Sequence, residues 1–255
     1  MTESGSSLLH AAAELADHTG AAALKYYRRN LEVERKDDGS PVTIADRSAE
    51  RVAREWLAAR FPADGILGEE FGAVSGSSRR TWLLDPVDGT KTFVRGVPLW
   101  GSLVALVEND VVLAGAASFP ALDERIAAAP ALGCWHNGAR SHVSGLTRLA
   151  EATVLTSDEH AFAEPRERRA WEALAGAAGV VRSWGDCYGY LLVATGRAEV
   201  MVDAKLNPWD CACFVPIITE AGGWLTELAG LTVWNPASAI ATNAALAAEA
   251  RSFFQ

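Results

Sequence analysis

Residues 81–96 read TWLLDPVDGTKTFVRG, an apolar run that ends abruptly on an aspartate, a proline and a second aspartate. Proline cannot donate to a sheet ladder, so the strand through Leu84 is expected to stop at Asp85 and turn. Asp88, Gly89 and Thr90 then resemble a helix start. This would gather both carboxylates at the strand's carboxyl end, free the carbonyl of Val87 and turn the N–H groups of Gly89 and Thr90 outward. Two readings stand at this point. Carboxylates bind hard cations, and free N–H groups at a helix start bind phosphate; equally, aspartates cap helices after a proline turn.

Outward from this stretch, two further segments share its design. GILGEEFG at 65–72 runs a short apolar strand into Glu69 and Glu70, and NPWDCACFVPIITEAGG at 207–223 places Asp210 two residues after Pro208, in the first turn of a helix. Alone, each is a cap or a solvated acid. Together they supply the oxygen ligands that one or two Mg²⁺ ions require, with no His or Cys cluster competing for the role.

The chain has 255 residues, 49% hydrophobic and 22% charged, with a net charge of -9. It lacks a run of about 18 uninterrupted apolar residues, so it reads as globular and not as membrane-spanning. Its first residues carry Glu14 and Asp17 and no basic cluster, which argues against a leader and for the cytoplasm. The acidic balance disfavours nucleic acid and anionic membranes as partners; an anionic substrate needs local cations. Cys134, Cys187, Cys211 and Cys213 match no zinc spacing and read as reduced thiols.

No linker or repeat divides the chain. Helical spacing marks residues 8–27 and 49–57, and strand-like runs follow at GIL, TWLL, GSLVALV and VVLAGAASF. After them come ATVLTS, a helix around Trp171, GVVRSW, a helix over 188–194, AEVMVD, a helix over 209–221, two short strands and a final helix. This irregular interleaving reads as layered α/β with mixed sheets, not a barrel or doubly wound sheet. Trp82, Trp100, Trp184, Trp209 and Trp224 read as core or wall residues, Trp209 also as a support for Asp210. His136 and His142 read as surface histidines.

D-x-D-G-T phosphatases of the haloacid-dehalogenase type look similar to DPVDGT, but the spacing here is one residue longer. Since i and i+2 share a face of a strand, the extra residue spoils the placement that their covalent mechanism needs.

GEE, DPVDGTKTFVRGVPLWG and WDCACFVPIITEAGG together resemble the signatures of the inositol monophosphatase family of Mg²⁺-dependent, lithium-sensitive phosphatases. The resemblance runs from SPVTIADRSAE to IATN near the C-terminus. It implies an α-β-α-β-α sandwich of the inositol monophosphatase and fructose-bisphosphatase type. It also implies one catalytic domain over 1–255, with most metal ligands in about 1–145 and the substrate pocket and Asp210 in about 146–255. A homodimer and two or three Mg²⁺ ions per site are implied as well. By this resemblance Glu69, Asp85 and the Val87 carbonyl hold one Mg²⁺, and Asp85, Asp88 and Asp210 hold a second. Gly89 and Thr90 contact the phosphate, and Glu69 and Thr90 position and deprotonate the attacking water.

Asp46 has two compatible readings, since TIAD is a capping box with Thr43 as cap, while the family places an acid here near the metal and water network. Lys36, in ERKDDGSPVT, matches a lysine of the family's mobile loop, or is a solvated lysine. Gly185 and Asp186 stand where inositol phosphatases carry Gly-Thr. A pocket carboxylate expects a cation or strong donor, although Asp186 also suits a helix N-cap. Asp203 stands where the family has an acid contacting substrate.

GDCYGYLLVATG and LNPWDCACFVPII look most like the family's histidinol-phosphatase branch, whose substrate bears an ammonium and an imidazole opposite its phosphate. The leading expectation is a phosphomonoesterase of histidine biosynthesis acting on this small phosphorylated metabolite. Alternatives are an inositol-1-phosphate or broad sugar-phosphate phosphatase and a non-catalytic metal-binding regulatory protein. A binding module has no need of the Glu69 and Thr90 pair.

Overall fold

The computed structural model describes residues 4–36 and 39–255. The first half comprises α1 (Gly5–Leu24), β1 (Glu34–Arg35), β2 (Pro41–Val42), α2 (Ile44–Arg60), β3 (Gly65–Gly68), β4 (Gly72–Val74) and β5 (Arg80–Asp88). The short α3 (Thr90–Phe93) and strands β6 (Gly101–Glu108), β7 (Val111–Phe119), β8 (Glu124–Ala129), β9 (Gly133–His136) and β10 (Ala139–Arg140) complete it. Beyond lie β11 (Thr153–Thr156), α4 (Pro165–Ala177), β12 (Val180–Arg182), α5 (Cys187–Ala194) and β13 (Val200–Asp203). The chain closes with α6 (Pro208–Cys211), α7 (Phe214–Glu220), β14 (Trp224–Thr226), β15 (Ala239–Thr242) and α8 (Ala247–Ser252).

Eight strands form a mixed sheet in the order β10-β9-β8-β7-β6-β5-β3-β4, and five form a second in the order β12-β11-β13-β15-β14. The alternation of side chains along a strand sorts each sheet's residues into layers. Trp82 and Leu84 of β5 pack with Leu8, Leu15, Ala53 and Leu57 of α1 and α2. Leu83, between them, faces the other way, into a core with Tyr190 and Leu191 of α5, Phe214 and Ile217 of α7, and Met201 of β13. Val200 and Val202, flanking Met201, turn outward against Trp171 and Leu174 of α4 and Ala250 of α8. The layers are therefore α-β-α-β-α, as expected, and one apolar core joins the two sheets through α5 and α7. Among the described residues no helix is long and apolar enough to cross a membrane.

Four sequence expectations are corrected here. β5 does not stop at Asp85: it runs to Asp88, with Asp85 opposite Leu103, Asp88 opposite Gly101, and a register shift between. Three steps on β5 match two on β6, so Pro86 and Val87 lie in a bulge, where a missing donor costs no ladder bond. The Ser102 hydroxyl donates to the Pro86 carbonyl at 2.6 Å and the Val87 N–H to Asp85 Oδ1 at 3.0 Å, which fixes the bulge. The helix expected over 209–221 is two pieces, α6 and α7, because Pro216 has no N–H to return to Ala212. Of the tryptophans, Trp82 and Trp100 are fully buried, but Trp184 and Trp224 are 42% and 52% exposed, so neither is core. His142 is exposed, and His136 is half-buried against Glu124.

Candidate active site

The β5 bulge turns Asp85 and Asp88 toward one another, and α6 carries Asp210 to them; an oxygen from each of the three lies within 4.8 Å of the others. Local chemistry fixes each acid. Asp210 closes a capping box at the start of α6, accepting the Asn207 N–H at 2.7 Å and its side-chain amide at 3.2 Å. Asp88 Oδ2 accepts the Cys187 N–H that opens α5, which ties the large sheet to the second half of the chain. Trp209 makes no hydrogen bond to Asp210, since its buried indole N–H has no partner among the described residues.

Burial, then the carboxylates of Glu69, Asp88 and Asp210, push the Asp85 carboxyl well above the usual range. Burial and the nearby Asp186 and Asp210 do the same to Asp88, against the Cys187 N–H. Burial and Glu69 raise Asp210 to about 7, against the Asn207 bonds. Among the described residues, no lysine, arginine or histidine ion-pairs with these three acids. An all-oxygen cluster with uncompensated negative charge fits a hard divalent cation. Thiol ligation is not in competition, because burial pushes the Cys187 and Cys211 thiols well up.

Glu69, Val87, Gly89, Thr90 and Asp186 line the same cavity, of about 230 Å³, as the three acids. The Thr90 hydroxyl shares its proton between Asp46 Oδ1 at 3.1 Å and the Val87 carbonyl at 3.0 Å. Asp46 is fully buried, and its Oδ2 accepts the Thr43 N–H at 2.9 Å and the Thr43 hydroxyl at 2.7 Å. One oxygen of Asp46 thus closes the capping box of α2, as expected, and the other accepts the Thr90 hydroxyl. Lys36 Nζ bridges Glu69 at 2.7 Å and Glu70 at 2.6 Å. Burial opposes its charge, but the two carboxylates outweigh it and raise the ammonium pKa. Burial lifts Glu70 to about 7, against the Lys36 bond.

A second cavity, of about 390 Å³, opens beside the first and shares Asp88, Lys91, Asp186 and Asp210 with it. Asp186 stands at the N-cap position of α5 with φ 49° and ψ -153°, but its side chain makes no capping bond. Its Oδ2 instead accepts the Thr92 hydroxyl at 3.2 Å. Burial raises its pKa, against Thr92 and the Lys91 ammonium. Gly185 allows the close approach of this turn to the β11 end, since a Cβ there would lie 2.2 Å from Ser157 Cα. Asp203 also lines the second cavity, almost fully buried, with bonds to the Ser157 N–H and the Tyr190 hydroxyl.

Sequence reasoning missed Glu50, a fully buried carboxylate of α2 that accepts the N–H groups of Glu70 at 2.7 Å and Phe71 at 3.2 Å. With Arg54 as its partner at 2.8 Å, it anchors the loop that carries Glu69. Its only sequence signal is the Glu50 and Arg54 spacing, which any solvated helix face also shows. Ser157, Tyr190 and Asn207 were missed as well; of these, only Asn207 had a local signature, N-P-W-D as a capping box.

The family model described as inositol monophosphatase family matches residues 5–253. Histidinol-phosphatase of Chlorobaculum parvum is 43% identical over 223 residues, spanning 87% of this chain and 86% of the relative. Histidinol-phosphatase of Mycobacterium tuberculosis is 40% identical over 222 residues, 85% of each chain. Among solved structures, an inositol monophosphatase from Zymomonas mobilis superposes with a TM-score of 0.87 at 30% identity and covers 99% of both chains. The acid cluster accords with the metal dependence of this family. The chain belongs to the inositol monophosphatase family and is a phosphoric monoester hydrolase.

Proposed function

We propose that the enzyme hydrolyses L-histidinol phosphate to L-histidinol and inorganic phosphate, as a step of histidine biosynthesis, with Mg²⁺ as its cofactor. The observation that carries the substrate reading is Asp186, whose carboxylate lines both the acid-cluster cavity and the adjoining larger one. A phosphate held at the acids directs its ester group into that second cavity, where a half-buried carboxylate favours a cationic group over a neutral polyol. The relatives at 40% and 43% identity carry the same activity in their names.

Glu69, Asp85 and the Val87 carbonyl would hold one Mg²⁺, and Asp85, Asp88 and Asp210 a second. Bound there, the ions supply positive charge that offsets the phosphate and acidifies water. The chain's own residues do the rest. Thr90 directs its proton at Asp46 or Val87, so its oxygen lone pairs are left to accept from the attacking water. Glu69 takes the proton that this water releases. The N–H groups of Gly89 and Thr90, at the start of α3, receive the phosphate oxygens. In the balance, water oxygen bonds to phosphorus as the ester P–O bond breaks, the leaving alkoxide takes a proton from solvent water to become the alcohol, and Glu69 returns the proton it took to solvent.

The test is phosphate release from histidinol phosphate and from inositol-1-phosphate, side by side, with Mg²⁺ and with EDTA. The expected result is a strong preference for histidinol phosphate that EDTA abolishes. Asp186→Asn should lower that preference by at least about tenfold, the low end of the value of one charge-assisted hydrogen bond. Equal or better turnover of inositol-1-phosphate would discard the histidine-pathway reading and leave the metal chemistry standing.

A further inference from the structure

Away from the active site, a cavity of about 490 Å³ opens between the N-terminal half of α1 and the β8, β9 and β10 edge of the large sheet. It shares no lining residue with the two cavities described above, and its volume is that of a small-molecule site. Leu9 and Ala13 of α1, Ala127 of β8, Leu132 and Trp135 give it an apolar surface. Arg125, Arg140, His10 and Ser6 are its polar lining residues, and neither an aspartate nor a glutamate lines it. In a chain at -9, this cavity carries charge of the opposite sign.

Its two arginines are not equivalent. Arg125 is neutralised, since its guanidinium pairs with Asp17, which also accepts the Ser118 hydroxyl at 3.0 Å. Arg140 is not, because among the described residues no carboxylate ion-pairs with it. The carboxylate of Glu220 accepts the Ala131 and Gly133 N–H groups at 2.8 and 2.7 Å and does not line the cavity. What holds Arg140 is aromatic: its guanidinium carbon lies 4.3 Å from the centre of the Trp135 ring. That ring is pinned in turn by its indole N–H, which donates to the Leu132 carbonyl at 3.0 Å. Gly133 leaves the room, for a Cβ there would lie 1.3 Å from Arg140 Nη1. A guanidinium set against a ring keeps its planar fork of N–H groups for an anion, and that fork matches the two oxygens of a carboxylate.

We propose that this cavity binds a small aromatic carboxylate, its ring on the surface of Leu9, Ala13, Leu132 and Trp135 and its carboxylate on Arg140. The short side chains of Ala13 and Ala127 leave the gap between α1 and β8 open to a ring. A neutral apolar ligand would leave the cation unanswered, and a small inorganic anion would leave the apolar surface wet. The site is independent of the substrate reading.

The experiment is calorimetric titration of the Mg²⁺-loaded enzyme with naphthalene-2-carboxylate and with its neutral isostere naphthalene-2-carboxamide. The carboxylate is expected to bind at one site per chain with a Kd of about 1 mM or below, as ligands of this size reach. The amide should bind at least about tenfold more weakly, the low end of the value of one charge-assisted hydrogen bond. Arg140→Gln, at an exposed position, should melt with the wild type and bind the two compounds alike, both as weakly as the wild type binds the amide. Ala13→Phe, which fills the gap from the α1 side, should abolish binding of both. No binding of the carboxylate to the wild type overturns the proposal, as does equal binding of the amide or wild-type affinity in either variant. Displacement of the carboxylate by inorganic phosphate would place it at the acid cluster and overturn the proposal too. Should Ala13→Phe fail to fold, the amide comparison and Arg140→Gln still decide.

Discussion

At the scale of single residues, the site separates acids held for structure from acids left for chemistry. Asp46 and Glu50 are fully buried, and every bond described for them goes to the protein: a cap and a hydroxyl for Asp46, two loop N–H groups and Arg54 for Glu50. Glu69 is half-buried, lines the cavity and, among the described residues, has the Lys36 ammonium as its ion partner. Glu69→Gln keeps size and hydrogen-bonding capacity but removes the proton acceptor. We expect kcat to fall by at least about a hundredfold, the usual weight of a general base, while thermal unfolding stays within a few degrees of wild type. Steady-state kinetics and a melting curve on the same sample check both halves, and full activity in this variant would contradict the role. Asp46 was legible in the sequence because a capping box is local, three residues from cap to acid. Glu50 and the Lys36 bridge were not, since their partners lie 20 to 34 residues away.

At the scale of elements, alternation and helical spacing predicted the order of the second half and of β3, β5, β6 and β7, but missed β4 and β8 of the large sheet and failed at the joints. The proline that ends a strand and the proline that sits in a bulge look alike in sequence. What distinguishes them is the Ser102 hydroxyl on the Pro86 carbonyl, contributed by the neighbouring strand. Pro216, by contrast, was a visible warning that 209–221 would not be one helix. The order of the second sheet was also illegible, because pairing of β13 with β15 spans more than thirty residues and rests on tertiary packing. One joint carries a prediction. Gly115 of β7 meets α6 and α7 so closely that a Cβ would lie 2.2 Å from the Cys213 carbonyl oxygen. Backbone must move to admit it, so Gly115→Ala should destabilise by about 1–3 kcal/mol, as overpacked cores do. The displaced segment carries Asp210, and Mg²⁺ affinity by calorimetry should weaken alongside the chemical-denaturation midpoint. A variant as stable as wild type with unchanged affinity would show that α6 and α7 give way without moving the acid.

At the scale of the whole molecule, the two sheets bring negative charge together at their junction in a chain that is already at -9. That arrangement links protons, metal and stability. A carboxyl whose folded pKa lies above its unfolded value binds more protons when folded. Its contribution to stability is complete below the unfolded pKa, about 4 for aspartate, and is lost as pH rises through the folded value. For Asp210 that loss runs up to about 7, and Asp85 and Asp88 shift in the same direction. These groups therefore make the metal-free enzyme less stable at pH 8 than at pH 5. A divalent cation acts in the opposite sense, because it binds the ionised carboxylates and so gains affinity as they lose protons. Calorimetric melting in EDTA and in Mg²⁺ at both pH values should show the Mg²⁺-induced rise in Tm growing from pH 5 to pH 8. Asp210→Asn removes one of the titrating ligands and should shrink both the rise and its pH dependence. A Mg²⁺ increment that is the same at both pH values would mean that the acids are already ionised at pH 5, and that the crowding at the junction does not control metal binding.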